Sequence, residues 1–158
     1  MSVEAYAELI RNFGHSIGLA EATPDADGYC AMSFDELVVH FQYDADDLVI
    51  FSRLGEVDED RVEGIYGMLL AANMFWQGTK GGTISVEPDS RVAFIADRRP
   101  LAHTSDAAFR DWLSGFIDIA EHWTDRLATA NAGGPLLAGD DELPPEPLDP
   151  GAEFMTRV

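Results

Sequence analysis

Four histidines, one cysteine and a glycine-rich segment holding a lysine are the parts of this 158-residue sequence that could do chemistry. His15, His40, His103 and His122 fall in separate stretches, and none has a second ligand at the HExxH or CxxC spacing that brings metal donors together. The residues argue against a metal site. Cys30 becomes a nucleophile only where a histidine meets it in space; as a small hydrophobe it suits a core better. Gly78 to Thr83, reading GTKGGT, has the ingredients of a phosphate loop in the wrong order. A P-loop runs from a strand through glycines to Lys-Ser/Thr at a helix N-terminus, whose amides hold the anion. Here the glycines follow a helical stretch, whose carbonyl end repels phosphate, so a helix-stopping turn is the better reading. With 29 acidic residues, some carboxylate pair lies close by chance, and pairing carries no acid/base signal. Trp76, Trp112 and Trp123 suit a core or an interface better than base stacking, which needs a basic groove.

The composition points the same way. A net charge of −19, from 29 acidic against 10 basic residues, disfavours nucleic acid and anionic membrane as partners, and Arg98-Arg99 is the only adjacent basic pair. A hydrophobic fraction of 46% in a chain this long supports one folded domain with a two-layer core. The lone Cys30 excludes an intrachain disulfide. MSVEAYAEL lacks the basic and apolar regions of an export signal, and no apolar run approaches the ~20 residues of a membrane span. A reducing cytoplasm is the expected location, and no cofactor is expected.

Ser2 is the expected cap of a first helix with Tyr6, Leu9, Ile10, Phe13 and Ile17 on one face and Gly18 as its stop. The turn TPDADG from Thr23 to Gly28 leads into a strand over Tyr29 to Phe34. Leu37, Val39, Phe41 and Tyr43 share a face of the next strand, a turn at Asp44 to Asp47 follows, and Leu48 to Leu54 makes a third. This hairpin is apolar on both sides, with Val38 opposite the odd-numbered set and Val49 and Phe51 opposite Leu48, Ile50 and Leu54. Either helices cover both sides or the second face is residual core, or one apolar face is left for a partner.

Asp58, Glu59 and Asp60 suit the start of a second helix carrying Val62, Ile65, Leu69 and Ala72. Strand four follows the glycine turn, and after Glu87-Pro88-Asp89-Ser90 strand five spans Val92 to Ala96. Thr104 or Ser105 caps a third helix, whose stripe is Phe109, Trp112, Leu113, Phe116, Ile117, Ala120 and Leu127. From Asn131 onward, prolines, glycines and acids predict a flexible acidic tail over 131–158, with Phe154 and Met155 as an anchor, against a folded domain over 1–130. The fold class is α+β: three helices packed on a mostly antiparallel five-stranded sheet, in the order α-βββ-α-ββ-α.

The helix-to-turn break carries Met74, Phe75 and Trp76. Each such side chain gains roughly 1.5–3 kcal/mol on burial, and a helix terminus has little core of its own to offer. A second surface is needed.

Read together, LLAANMFWQGTKGGTISVEPDSRVAF, the following RRPL and the helical FIDIAEHW resemble the type III secretion chaperones of the CesT/Tir-chaperone family. The matching positions are Asn73, Phe75 or Trp76, Gly78, Gly81 or Gly82, Glu87, Pro88 and Ser90, Pro100 and Leu101, and Ala120, Glu121 and Trp123. Gly18-Leu19 and Gly28-Tyr29-Cys30 are similar too, so the resemblance covers about Ala5 to Leu127. It departs in lacking a glycine after Ser90 and in its long acidic tail.

The resemblance implies a non-enzymatic homodimer that holds the N-terminal segment of a secreted effector in extended form, and it brings the secretion-apparatus ATPase in as a further partner. It implies a dimer interface of Leu69, Met74, Phe75, Trp76 and Ile84, and effector contacts at Phe13, Ile17, Val38, Val49 and Phe51. Two alternatives stay open at this point: a binding protein of the same fold that acts as a regulator or co-chaperone outside secretion, and a small hydrolase built on Cys30 and a histidine.

Overall fold

The computed structural model describes residues 3–136. The expected cap at Ser2 and the segment from residue 137, with Phe154 and Met155, lie outside the described residues.

Helix α1 (Val3–Ser16) buries Tyr6, Leu9, Ile10 and Phe13, one apolar side chain every three or four residues. It ends at Ser16, just before the expected stop Gly18, whose φ of 82° lies in the left-handed region that suits glycine. Strands β1 (Tyr29–Phe34), β2 (Leu37–Asp44) and β3 (Asp47–Glu56) form an antiparallel meander. A 3₁₀ turn over Glu59–Arg61, capped by the Asp58 carboxylate, precedes α2 (Val62–Ala72). The acids Asp58, Glu59 and Asp60 thus sit in that turn rather than in the helix itself. Strands β4 (Thr83–Val86) and β5 (Val92–Pro100) form the second hairpin, and α3 (Asp106–Asn131) starts at Ser105, whose hydroxyl accepts from the Ala108 N–H.

The strands lie in the order β1-β2-β3-β5-β4, all antiparallel. Strand β5 runs four residues beyond the expected Ala96, because Asp97 to Pro100 continue the ladder against Asp47 to Ile50 of β3. Its polar end is held from the helix side: Asp97 accepts the Trp112 indole N–H at 2.7 Å, and the Arg99 guanidinium lies 5.0 Å over that ring.

Side-chain parity decides the layers. Cys30 and Met32 of β1, Leu37, Val39 and Phe41 of β2, Leu48, Ile50 and Leu54 of β3, Ala93 and Ile95 of β5 and Ile84 of β4 join the buried residues of all three helices in one core. Ser52 is buried among them with its hydroxyl donating to the Val38 carbonyl at 2.5 Å. Helices therefore occupy one side of the sheet only, and among the described residues none covers the other.

Residues 131–136, assigned by composition to the tail, are tied into the fold. Asn131 accepts from the Asp58 N–H and donates to the Glu56 carbonyl, and Arg61 donates to the carbonyls of Ala130 and Gly134. Leu136 then packs back toward Gly64 of α2. Proline and glycine content signals a chain that cannot form its own core; it does not exclude docking on another.

Candidate binding surfaces

The uncovered side of the sheet is a lattice fixed by the strand registers. Ala31 lies opposite His40, His40 opposite Phe51, Phe51 opposite Ala96 and Ala96 opposite Thr83, a row across all five strands without a charge. A second row sets Tyr29, Gln42, Val49 and Arg98 side by side. Val38 is exposed, and Val49 and Phe51 are half-buried by their neighbours on this face. These three expected contact residues share one surface.

An aromatic pile stiffens it. The His40 ring stacks on Phe51 with centroids 4.7 Å apart and planes 10° apart, and the Tyr29 hydroxyl lies 2.7 Å from His40 Nδ1. Burial pushes the His40 imidazole below its ordinary value of 6.5. The unfolded chain then takes up this proton before the folded one does, so stability is lost as pH falls from about 6.5. Between pH 7.5 and 5.5 the melting temperature of the native chain should fall further than that of His40→Gln; equal slopes would show that His40 titrates freely.

The other two expected contact residues sit elsewhere. Ile17 lies beyond the end of α1 and is exposed, with Leu19 exposed close by in the chain. Phe13 is largely enclosed: its ring is buried against Phe109, at 5.1 Å and edge-on, and against Phe34 at 6.4 Å, with the Arg110 guanidinium 5.9 Å away over its face. It still lines a groove of about 180 Å³ between α1 and α3, with Arg110, Leu113, Ser114, Ile117 and Asp118.

The second surface is a knob. A 3₁₀ turn over Met74–Trp76 follows α2, and Phe75 and Trp76 both take left-handed backbone, φ 52° and 56°. That region is unfavourable for bulky residues by roughly 1–2 kcal/mol each, so the surroundings must impose it. They do so from below. The Asn73 amide makes two 2.8 Å hydrogen bonds to the N–H and carbonyl of Ile84, and Trp123 donates to the Gly78 carbonyl at 2.8 Å. Thr79 is fully buried, donating to the Gly82 carbonyl at 2.5 Å, and a Cβ on Gly78 would come within 2.8 Å of the Ala72 carbonyl oxygen. The GTKGGT segment is thus a pinned helix stop in which the Thr79 hydroxyl and the Gly78 and Gly82 carbonyls are used internally.

Above this base Phe75 is 74% exposed, Met74 65% and Trp76 57%. Leu69 and Ile84, expected beside them at the dimer interface, are buried within the single chain, Leu69 at 3% exposure. Leu69 falls on the stripe of Ile65 and Ala72, and Ile84 on the core face of β4 opposite Ile95. The exposed neighbour is Leu70, at 69%, a position that sequence reasoning missed.

Among the described residues, Cys30 and His40 do not converge. Cys30 points into the core, where burial raises its thiol above the usual range, while His40 on the neighbouring strand projects from the opposite face. The Glu87 carboxylate closes the β4–β5 turn, accepting from the Ser90 and Asp89 N–H groups at 2.7 and 3.2 Å. Its pKa is lowered, first by the Ser90 side chain and then by these amides. Among the described residues no helix is long and apolar enough to cross a membrane.

Comparison with known proteins agrees with this geometry. A chain of the ExsC–ExsE complex superposes with a TM-score of 0.68 at 22% identity, covering 79% of this chain and 95% of the other. A chain of the HopA1–SchA chaperone–effector complex gives 0.63 at 16%, covering 79% and 97%. A chain of the Yersinia pestis type III secretion chaperone SycH in complex with a YscM2 fragment gives 0.56 at 21%, covering 75% and 98%. Comparison with curated proteins gives no match. At these identities the superpositions establish the fold, and the sequence itself supplies the relationship: residues 8–124 match the model of the Tir chaperone protein (CesT) family, and the chain belongs to that chaperone family.

Proposed function

We propose that this chaperone serves type III secretion as a homodimer in the bacterial cytoplasm, holding the N-terminal segment of a secreted effector unfolded and performing no catalysis of its own. The observation that carries the reading is the apolar sheet face left without a helix, where Val38, Val49 and Phe51 lie together. An extended client adds its backbone to a sheet edge and drops alternate side chains onto such a face, and the cost of ordering it, several kcal/mol, is offset by buried area. Phe13, at the groove between α1 and α3, and the exposed Ile17 are proposed as further contacts on the helix side of the sheet. The HopA1–SchA and SycH complexes hold a partner on the same fold, which supports the client reading. The second copy covers Leu70, Met74, Phe75 and Trp76, and the secretion-apparatus ATPase receives the loaded complex.

The test begins with purification from the native cell and identification of the bound protein. Val38→Asp should then weaken binding of that protein's N-terminal segment by roughly tenfold or more, since a carboxylate is placed in an apolar contact. Its melting temperature should stay near that of the native chain, because Val38 is already exposed. Undiminished binding would remove the sheet face from the site; a large loss of melting temperature would make Val38 part of the core.

A further inference from the structure

We infer that the client segment seated on the uncovered sheet face presents a carboxylate to Arg53, at a fixed distance from an apolar side chain that rests on Phe51. This rests on the client reading above and adds the chemistry of the segment. Arg53 stands on the same face as Phe51, two residues along β3 and therefore about 7 Å away. Its cross-strand neighbour on β5 is Phe94, and continuing the β2–β3 register by one residue sets Val38 on its other side. A guanidinium thus stands in an apolar row, with Ser33 and Ser85 as the next positions outward.

The other arginines of the sheet are engaged. Arg98 pairs with Asp47 at 3.5 Å, and Arg99 lies over Trp112. In the loop before β5, Arg91 pairs with Glu56 and Glu59 at 3.5 and 3.8 Å. The Arg53 side chain has no ion pair, hydrogen bond or ring contact with any described residue, although the chain carries 29 acidic residues and Asp35 and Glu36 lie in the nearby β1–β2 turn. Its aliphatic stem can lie along Val38 and Phe94 while its five N–H groups stay available, a geometry that matches a carboxylate through two parallel hydrogen bonds. A net charge of −19 draws the basic part of a client from a distance; Arg53 sets which residue of the client lands beside Phe51.

A charge exchange tests this. A phage-displayed library of random 15-residue peptides is panned against the full chain and against Arg53→Glu, with Val38→Asp as a control that should lose the enriched peptides. The native chain should enrich peptides with Asp or Glu two residues from a large apolar residue if the peptide is extended, or three to four if it is helical. Arg53→Glu should lose that preference and favour Lys or Arg at the same offset. For a selected peptide, replacing the acidic residue by its amide should weaken binding to the native chain roughly tenfold and leave binding to Arg53→Glu unchanged or tighter. Since Arg53 holds nothing in the fold, both proteins should melt alike. Peptides bound without charge preference, or with the same preference in both proteins, would overturn the inference while leaving the client reading intact, with Arg53 serving only to keep the face from pairing with itself. No peptide bound at the Val38 face by either protein would overturn both.

Discussion

Replacing Phe75 and Trp76 together by asparagine should leave a folded monomer at concentrations where the native chain should sediment as a dimer. Among the described residues the two rings are the most exposed aromatic side chains, and a two-fold dimer built on the knob buries each of them twice. At roughly 1.5–3 kcal/mol per buried ring, removing four rings weakens association by several kcal/mol, so the dimer dissociation constant should rise at least 100-fold. Asparagine is chosen for the backbone. It tolerates the left-handed region that both positions occupy, whereas Phe and Trp are strained there, so the monomer should melt no lower than the native chain at equal subunit dissociation. Sedimentation velocity over a micromolar range reads the mass, and calorimetry reads the melting temperature. A native chain that is itself a monomer, or a double variant that still dimerises, would move self-association away from this knob; a collapse of melting temperature would mean that the rings are buried in a way their exposure does not suggest.

The same knob shows which parts of the molecule local pattern can report. The break at Met74 to Trp76 was legible because large apolar residues stood where a helix ended, and spacing alone also put Leu69 on the stripe of Ile65 and Ala72. That spacing was already the signal that Leu69 belongs inside and Leu70 outside. Assigning Leu69 to the interface followed the family resemblance over the periodicity. Strand β3 was ambiguous for a different reason: both of its faces are apolar, and only the side on which the helices land decides that Leu48, Ile50 and Leu54 go inward. That is a long-range fact, as is the extension of β5 to Pro100, which depends on β3 as a ladder partner and on Trp112 as a donor to Asp97. Ile17 failed at a boundary, since helical spacing placed it on the face of Phe13 although Gly18, read as the stop, ends the helix before it can point there. Arg53 gave no signal at all, because one arginine in a strand becomes informative only when its cross-strand neighbours and its lack of a partner are known.

Truncating Phe109 to alanine should cause the largest loss of stability, roughly 3–5 kcal/mol, because its ring is the joint between three elements. It is fully buried, meets Phe13 of α1 edge-on at 5.1 Å, and lies 6.1 Å from Phe41 of β2 and 6.3 Å from Trp112 on its own helix. The substitution loses the transfer energy of the ring, leaves a cavity that neighbours on a sheet and two helices cannot all collapse into, and forfeits edge-on contacts worth about 0.5–1.5 kcal/mol each. Against a total of about 5–15 kcal/mol for a domain of this size, the melting temperature should fall by roughly 10–20 °C, with a proportionate drop in the urea midpoint at unchanged slope. Phe109→Leu, which keeps most of the volume, should cost no more than about 1.5 kcal/mol. The pair separates packing from any surface role. If Phe109→Ala melted like the native chain while weakening client binding, the ring would belong to the client site and the core would have to be centred elsewhere. If it melts early and Val38→Asp does not, the helix side of the sheet carries the stability and the bare side is left free to bind.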